Sequence, residues 1–208
     1  MKVKWNGVLP IALMVVFALT RWPGLLPANF SAAYALAFCA GVYFPPRLAW
    51  WLPLGTLLGS DILLNLFYYH VPPLSVFQLG NYAAYAALIW LGRGLTARAS
   101  WITLLGGGLL GAILFYFVTN TFSWLENPEY PKTLAGWLQA LTVGTAGWPE
   151  TWKFFRNTLT SGGLFTGLFA GAMKLSGASE PEDQPEPAED EEAPEAEPAE
   201  PAAEETQP

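Results

Sequence analysis

Charged residues are scarce in this chain of 208 residues: Asp, Glu, Lys and Arg make up 13%, against about 25% in soluble domains. The single Cys excludes a disulfide framework and a cysteine-based metal site. The single His excludes a histidine-rich metal centre. The sequence contains no phosphate-binding GxxxxGK[ST] loop, no GxSxG and no HExxH motif. We therefore predict a protein that is not an enzyme, with no cofactor, no metal site and no nucleic-acid partner.

Acidic residues are scarcer still outside the C-terminus. Of the 17 acidic residues, 13 lie at positions 180–208, so residues 1–179 hold ten cations and only four acids. The terminal stretch is rich in Glu, Pro and Ala and has no aromatic residue, a composition that cannot bury enough apolar surface to fold. The sequence predicts two regions, a transmembrane helical bundle at 1–178 and a disordered acidic tail at 179–208.

Apolar residues, by contrast, make up 52% of the chain. They recur in runs close to the roughly 20 residues that cross a bilayer as a helix. The six runs are 8–19, 28–44, 48–69, 74–91, 101–122 and 154–175. A seventh apolar stretch, 130–148, is interrupted by glycines and predicts an interfacial or re-entrant helix, with a further span as the alternative. The predicted fold class is an all-α membrane protein, a compact bundle of about six transmembrane helices plus this extra helix.

The loop cations predict the orientation, because Lys and Arg of short loops stay preferentially in the cytoplasm. With six spans, one side carries Lys2, Lys4, Arg47, Arg93, Arg98 and Lys174, and the other carries Arg21 and Lys132, with Lys153 and Arg156 at the start of the last span. We predict a multi-pass protein of the bacterial inner membrane with both termini cytoplasmic. Two lysines before a short apolar run also fit a signal peptide, which is the alternative for the first span.

Polar side chains concentrate in the outer half of the predicted bundle. Asp61, the only acidic residue within a span, lies about 20 Å from the inner end of the third span. A charge there costs about 3 kcal/mol, so it faces a partner or a wet cavity. The candidate ligand-binding residues are Asn29, Asp61, Asn65, His70, Gln78, Asn81, Tyr82, Asn120, Arg156 and Asn157. Polar contacts between helices are the structural alternative for these groups.

Two finer hypotheses concern individual residues of this set. Asp61 is predicted to pair with Arg156 or Lys153, the cations at the mouth of the sixth span. His70, at the pocket mouth, offers an imidazole that would suit the cobalt of a corrinoid, with an ordinary loop histidine as the alternative.

Several stretches resemble a family of small uncharacterised bacterial membrane proteins. They include Tyr130-Pro131-Lys132-Thr133-Leu134-Ala135-Gly136 and Phe154-Phe155-Arg156-Asn157-Thr158-Leu159, and the resemblance covers about residues 8–175. That family is in turn distantly similar to the S components of energy-coupling-factor (ECF) vitamin transporters. The resemblance implies a six-helix bundle that binds a vitamin or similar small molecule from outside. S components commonly carry an alanine-x-x-x-alanine ridge in the first span, whereas here the nearest match, Ala33 and Ala37, lies in the second.

Two functions follow as expectations. The first is a membrane-embedded protein that binds or transports a small, vitamin-like solute through an outward-facing pocket. The second is a non-catalytic accessory subunit of a larger membrane complex. The expected partners are the lipid bilayer, a small-molecule substrate and, for the second function, other membrane subunits.

Overall fold

A computed structural model describes residues 8–74 and 78–178. This part of the chain forms the helices α1 (Val8–Thr20), α2 (Ala33–Tyr43), α3 (Pro46–Leu64), α4 (Gln78–Arg93), α5 (Trp101–Glu126), α6 (Leu134–Leu141) and α7 (Thr151–Ala178). A π-helical turn, Asn65–Tyr69, continues α3. The described residues contain no strand apart from an isolated bridge between Pro23 and Leu26. The all-helical prediction is confirmed, and the predicted tail at 179–208 lies outside the described residues.

The long helices run alternately in opposite directions. The end of α1, the start of α2, the end of α3, the start of α4 and the end of α5 line one cavity. At the start of α7, the Asn157 side chain donates to the carbonyl of Ala28 at 2.9 Å, near this cavity. At its other end, Lys174 Nζ donates to the carbonyl of Ala99 at 2.9 Å, between α4 and α5. We call the two ends of the bundle the cavity end and the opposite end.

Helix α2 lies at the centre of the bundle and contacts α1, α3, α4, α5 and α7. Its sequence, AYALAFCAGVY, is apolar on every side, and each residue from Ala33 to Gly41 is buried. A helix without a polar face requires neighbours all round. Its small residues also allow those neighbours to approach closely.

The closest approach is the crossing of α2 and α4, where two glycines face each other. A Cβ atom on Gly41 would lie 2.2 Å from the carbonyl oxygen of Ile89, and one on Gly92 would lie 2.1 Å from that of Phe38. No side chain fits at such distances. Backbone contact between small residues is the usual way in which membrane helices pack tightly.

Local signals explain several helix boundaries. Pro46 follows Pro45 and occupies the first turn of α3, where the missing N–H of proline is not needed. Ser100 caps α5 by accepting from the amide of Thr103, and Thr133 caps α6 by accepting from that of Gly136.

Helix lengths differ from the predicted spans. Of the described helices, α5 alone is both long and apolar enough by itself to cross a bilayer. Helix α2 has 11 residues where a run of 17 was predicted, because residues 21–32 form a loop. Helix α6 has eight residues, about 12 Å of helix, so it does not provide a further span. The predicted bundle of six spans is therefore not confirmed.

Candidate functional site

A cavity of about 730 Å³ opens at the cavity end of the bundle. Five helices contribute to its wall, and the loop at residues 21–32 contributes much of its rim. Its lining mixes charged, amide and hydroxyl groups with aromatic rings. This size and mixture are typical of small-molecule sites.

The loop at residues 21–32 has a sequence that cannot continue a helix. It contains Pro23 and Pro27, and both Gly24 (φ 83°) and Asn29 (φ 59°) adopt left-handed backbone conformations, which glycine and asparagine tolerate best. Tyr34 Oη donates to the carbonyl of Asn29 at 3.3 Å. Phe30 packs edge-on against Phe165 of α7. Both contacts hold the loop over the bundle.

A buried ion pair lies in the cavity wall. The guanidinium of Arg21 donates to the Asp61 carboxylate at 2.5 Å through Nη2. Its Nη1 donates to the carbonyl of Leu57 at 3.3 Å and to the hydroxyl of Ser60. Tyr82 Oη donates to the second carboxylate oxygen at 3.2 Å. The side chains of Arg21 and Asp61 are only 16% and 7% exposed, so each charge depends on its partner.

Arg21 remains charged, because a guanidinium stays protonated in proteins. The hydrogen-bonded carboxylate of Asp61 compensates the burial of its charge. The two charges cancel, so the pair adds polarity to the wall without adding net charge.

Aromatic rings form the floor of the cavity. Tyr34 and Phe115 have their ring centroids 4.4 Å apart, and Tyr85 lies 5.1 Å from Phe115 in an edge-on arrangement. Tyr34 and Tyr85 are parallel at 6.2 Å. Such pairs stabilise each other beyond their burial. The floor is therefore a rigid aromatic surface.

A smaller cavity of about 210 Å³ lies between α4 and α5. It shares Asn81, Thr119 and Ser123 with the larger cavity, so the two adjoin along the groove between these helices. Its remaining lining residues are Gly80, Phe122 and Glu126. Gly80 packs directly on Phe122, since a Cβ atom there would lie 2.6 Å from the Cβ of Phe122.

A family of unknown function, DUF6580, matches residues 1–184 of the sequence. The chain belongs to the DUF6580 family. The match includes every described residue and hence both cavities of this DUF6580 protein. The expected resemblance to an uncharacterised family is confirmed. A search of curated proteins finds no match.

Five of the ten predicted site residues of the DUF6580 protein line the larger cavity: Asn29, Asp61, Asn65, Asn81 and Asn120. A sixth, Tyr82, binds the carboxylate of Asp61. The remaining four, His70, Gln78, Arg156 and Asn157, do not line it. Asn157 contacts the loop at Ala28, and His70 is an exposed residue with φ 55° that ends the π-helical turn.

The predicted partner of Asp61 is wrong. Asp61 pairs with Arg21, whereas Arg156 contacts Asn157 and the ring of Trp152, and Lys153 pairs with Glu150 at 3.2 Å. Sequence reasoning placed each residue only by its depth along the bundle, and Arg21 and Asp61 have similar depths. It could not show that α1 packs against α3.

Sequence reasoning also missed most of the aromatic and hydroxyl lining of the DUF6580 cavity. The missed residues include Arg21, Trp22, Phe30, Ser31, Tyr34, Phe115, Thr119 and Ser123. One available signal was the sequence RWPGLLPANF at 21–30, whose prolines and glycine interrupt an apolar region. Among the described residues there is no group of three or more His, Cys, Asp or Glu able to hold a metal ion.

Proposed function

We propose that this DUF6580 protein is a membrane-embedded protein that binds or transports a small, vitamin-like solute, similar in architecture to ECF S components. The observation that carries the proposal is the open cavity of about 730 Å³ at one end of the bundle. Its wall combines a neutral ion pair, amide side chains and an aromatic floor. An accessory subunit would not need such a space.

The outer surface of the bundle supports a membrane location. Large apolar side chains are exposed along several helices, including Ile11, Val15 and Leu19 of α1, Ile102, Leu110, Ile113 and Phe117 of α5, and Leu164, Leu168 and Leu175 of α7. Soluble monomers rarely expose apolar patches of more than a few hundred Å². Lipid tails would cover these side chains.

Exposed tryptophans mark both ends of the bundle. Trp51, Trp90 and Trp101 lie at or near the opposite end, and Trp22, Trp148 and Trp152 lie near the cavity end. Indole rings prefer the two interfaces of a bilayer. This arrangement supports a bundle that spans the membrane with its cavity at one surface.

The short α1 and α2 are compatible with six spans. Irregular backbone is tolerated at membrane depth where it lines a water-filled cavity, and the loop between these helices lines the cavity. Helix α2 is surrounded by other helices, so its 11 residues need not match the lipid thickness.

The cations support an outward-facing cavity in the bacterial inner membrane. Among the described residues, Arg47, Arg93, Arg98 and Lys174 belong to the opposite end. The cavity end has the same number of cations, Arg21, Lys132, Lys153 and Arg156. In a six-span topology the sequence adds Lys2 and Lys4 to the first group, and the positive-inside rule, which counts Lys and Arg, then assigns the opposite end and both termini to the cytoplasm.

Native mass spectrometry of the gently purified protein tests the proposal. We expect a retained small molecule that is lost in Ser123→Trp, because the indole would fill the space next to Ser123 in both cavities. Leu125→Trp is the matched control, since Leu125 is 53% exposed and lines neither cavity. Equal retention by both variants would argue against the cavity as the binding site.

One observation favours the second function, an accessory subunit. Gly55 and Gly59 of α3 are exposed, and a Cβ atom on either would meet nothing within 4 Å. This face would let the helix of another subunit approach closely. The same mass spectra decide the matter, because retained subunits without a small molecule would support this function.

A further inference from the structure

The charges that line the two cavities do not balance. Arg21 and Asp61 neutralise each other, which leaves Glu126 as the remaining charged side chain among the lining residues. Glu126 takes part in neither of the two ion pairs found in the described residues. The residues that line the two cavities therefore carry one net negative charge.

Lys132, six positions after Glu126 in the sequence, forms no ion pair with it. Lys132 Nζ donates to the carbonyls of Trp124 and, at 2.7 Å, of Asn127. Its charge is thus directed at the carbonyl end of α5, where a cation is stabilised by the helix dipole. Glu126 is only partly exposed, so its carboxylate is screened less than one in open water.

Aromatic side chains line the larger cavity: Trp22, Phe30, Tyr34, Tyr69, Tyr85 and Phe115. They offer a surface on which a ring or hydrocarbon portion of a ligand can pack. The one guanidinium in the wall is already bound to a carboxylate, so it is not available to an anion.

We infer that the ligand is an elongated organic cation, with its apolar or ring portion on the aromatic floor and its positive group toward Glu126. Glu126 follows Thr119, in the shared wall, by seven positions, which is about 10 Å of helix. The ligand would therefore extend from the larger cavity along the groove between α4 and α5. This inference rests on the proposed function, because it names the class of solute for the same cavity.

The test uses three probes that share a phenylbutyl group and differ in charge: 4-phenylbutylamine as the ammonium ion, 4-phenylbutan-1-ol and 4-phenylbutanoate. Binding is measured by titration calorimetry of the protein in nanodiscs, with empty nanodiscs to subtract partitioning into lipid. We expect the ammonium ion to bind about tenfold more tightly than the alcohol, equivalent to about 1.4 kcal/mol. The butanoate should bind most weakly.

Variants of Glu126 test whether its carboxylate is the group that binds the ammonium ion. Glu126→Gln should weaken binding of the ammonium ion about tenfold and leave binding of the alcohol unchanged, whereas Glu126→Asp should retain most of the affinity. The matched control is Glu129→Gln, because Glu129 lies near the same end of α5 but lines neither cavity. A Glu126→Gln protein that binds the ammonium ion as tightly as the unchanged protein would overturn the inference.

The outcomes also separate this inference from the proposed function. If the alcohol or the butanoate binds at least as tightly as the ammonium ion, and Ser123→Trp abolishes that binding, the cavity remains a solute site and the cationic ligand is wrong. If none of the three probes binds and native mass spectra show no retained molecule, both proposals fail.

Discussion

The ion pair between Arg21 and Asp61 provides a sharp test of how the cavity end is held together. We consider Asp61→Asn, Arg21→Gln and the double substitution. Asp61→Asn leaves the guanidinium with the carbonyl of Leu57 and the hydroxyl of Ser60 as acceptors. Arg21→Gln leaves the carboxylate with the hydroxyl of Tyr82 as its hydrogen-bond donor. The second substitution should therefore be the more harmful.

The burial of the pair sets the expected magnitudes. Removing one member of a fully buried ion pair costs about 3–5 kcal/mol, because the other charge is left without compensation. The pair is not fully buried, because both residues line the open cavity. We therefore expect a smaller penalty, about 2 kcal/mol for Asp61→Asn and about 3 kcal/mol for Arg21→Gln, near the value of charged hydrogen bonds. The double substitution should cost about 1–2 kcal/mol less than the sum, since the two residues are in contact.

The assay is reversible unfolding of the detergent-solubilised protein by a denaturing detergent. Asp61→Asn combined with Arg156→Gln is the control cycle, because Arg156 shares no contact with Asp61 and instead binds Asn157. That cycle should be additive within about 0.5 kcal/mol. Additive effects for Arg21 and Asp61, or coupling of Asp61 to Arg156, would refute the reasoning.

Two further predictions concern helix packing and the loop. Gly41→Ala should destabilise the protein by about 1–3 kcal/mol through overpacking, because the new Cβ would lie 2.2 Å from the carbonyl oxygen of Ile89. Gly59→Ala is the control. Its new Cβ would extend into open space, so the free energy of unfolding should change little. Equal losses for the two variants would contradict the close crossing of α2 and α4. Asn157→Ala removes the 2.9 Å bond to Ala28 and should cost only about 1 kcal/mol, yet hydrogen exchange in residues 21–32 should become several-fold faster. Thr160→Ala is its control, since the Thr160 hydroxyl donates to the carbonyl of Arg156 within its own helix. Unchanged hydrogen exchange of residues 21–32 in Asn157→Ala would show that other contacts hold the loop.

The sequence allowed the height of polar residues along the bundle to be predicted. Asn29 of the loop, Asp61 of α3, Asn65 of the π-helical turn, Asn81 of α4 and Asn120 of α5 all line one cavity, because the position of a residue within its apolar run translates into depth along the bundle. The all-helical class followed from the same runs. This part of the prediction needed only hydropathy and helix geometry.

The same reasoning could not predict which helices are neighbours around the bundle axis. Arg21 and Arg156 were both placed at the outer side, and only the packing of α1 against α3 selects Arg21 as the partner of Asp61. The rings of Tyr34 and Phe115 could equally have been core residues, since their sequence context is uniformly apolar. Hydropathy also extended the second span through Asn29, whose left-handed backbone breaks the helix.

The proposed function requires a water-filled cavity at the outer end of a membrane bundle, and thiol labelling of intact cells tests this requirement directly. In a Cys39→Ser background, single cysteines replace Asn120, in the cavity wall, and Ala97, an exposed residue between α4 and α5 at the opposite end. We predict that a membrane-impermeant maleimide labels position 120 in intact cells and position 97 only after permeabilisation. Labelling of position 97 in intact cells, or no labelling of position 120 even after permeabilisation, would contradict the account.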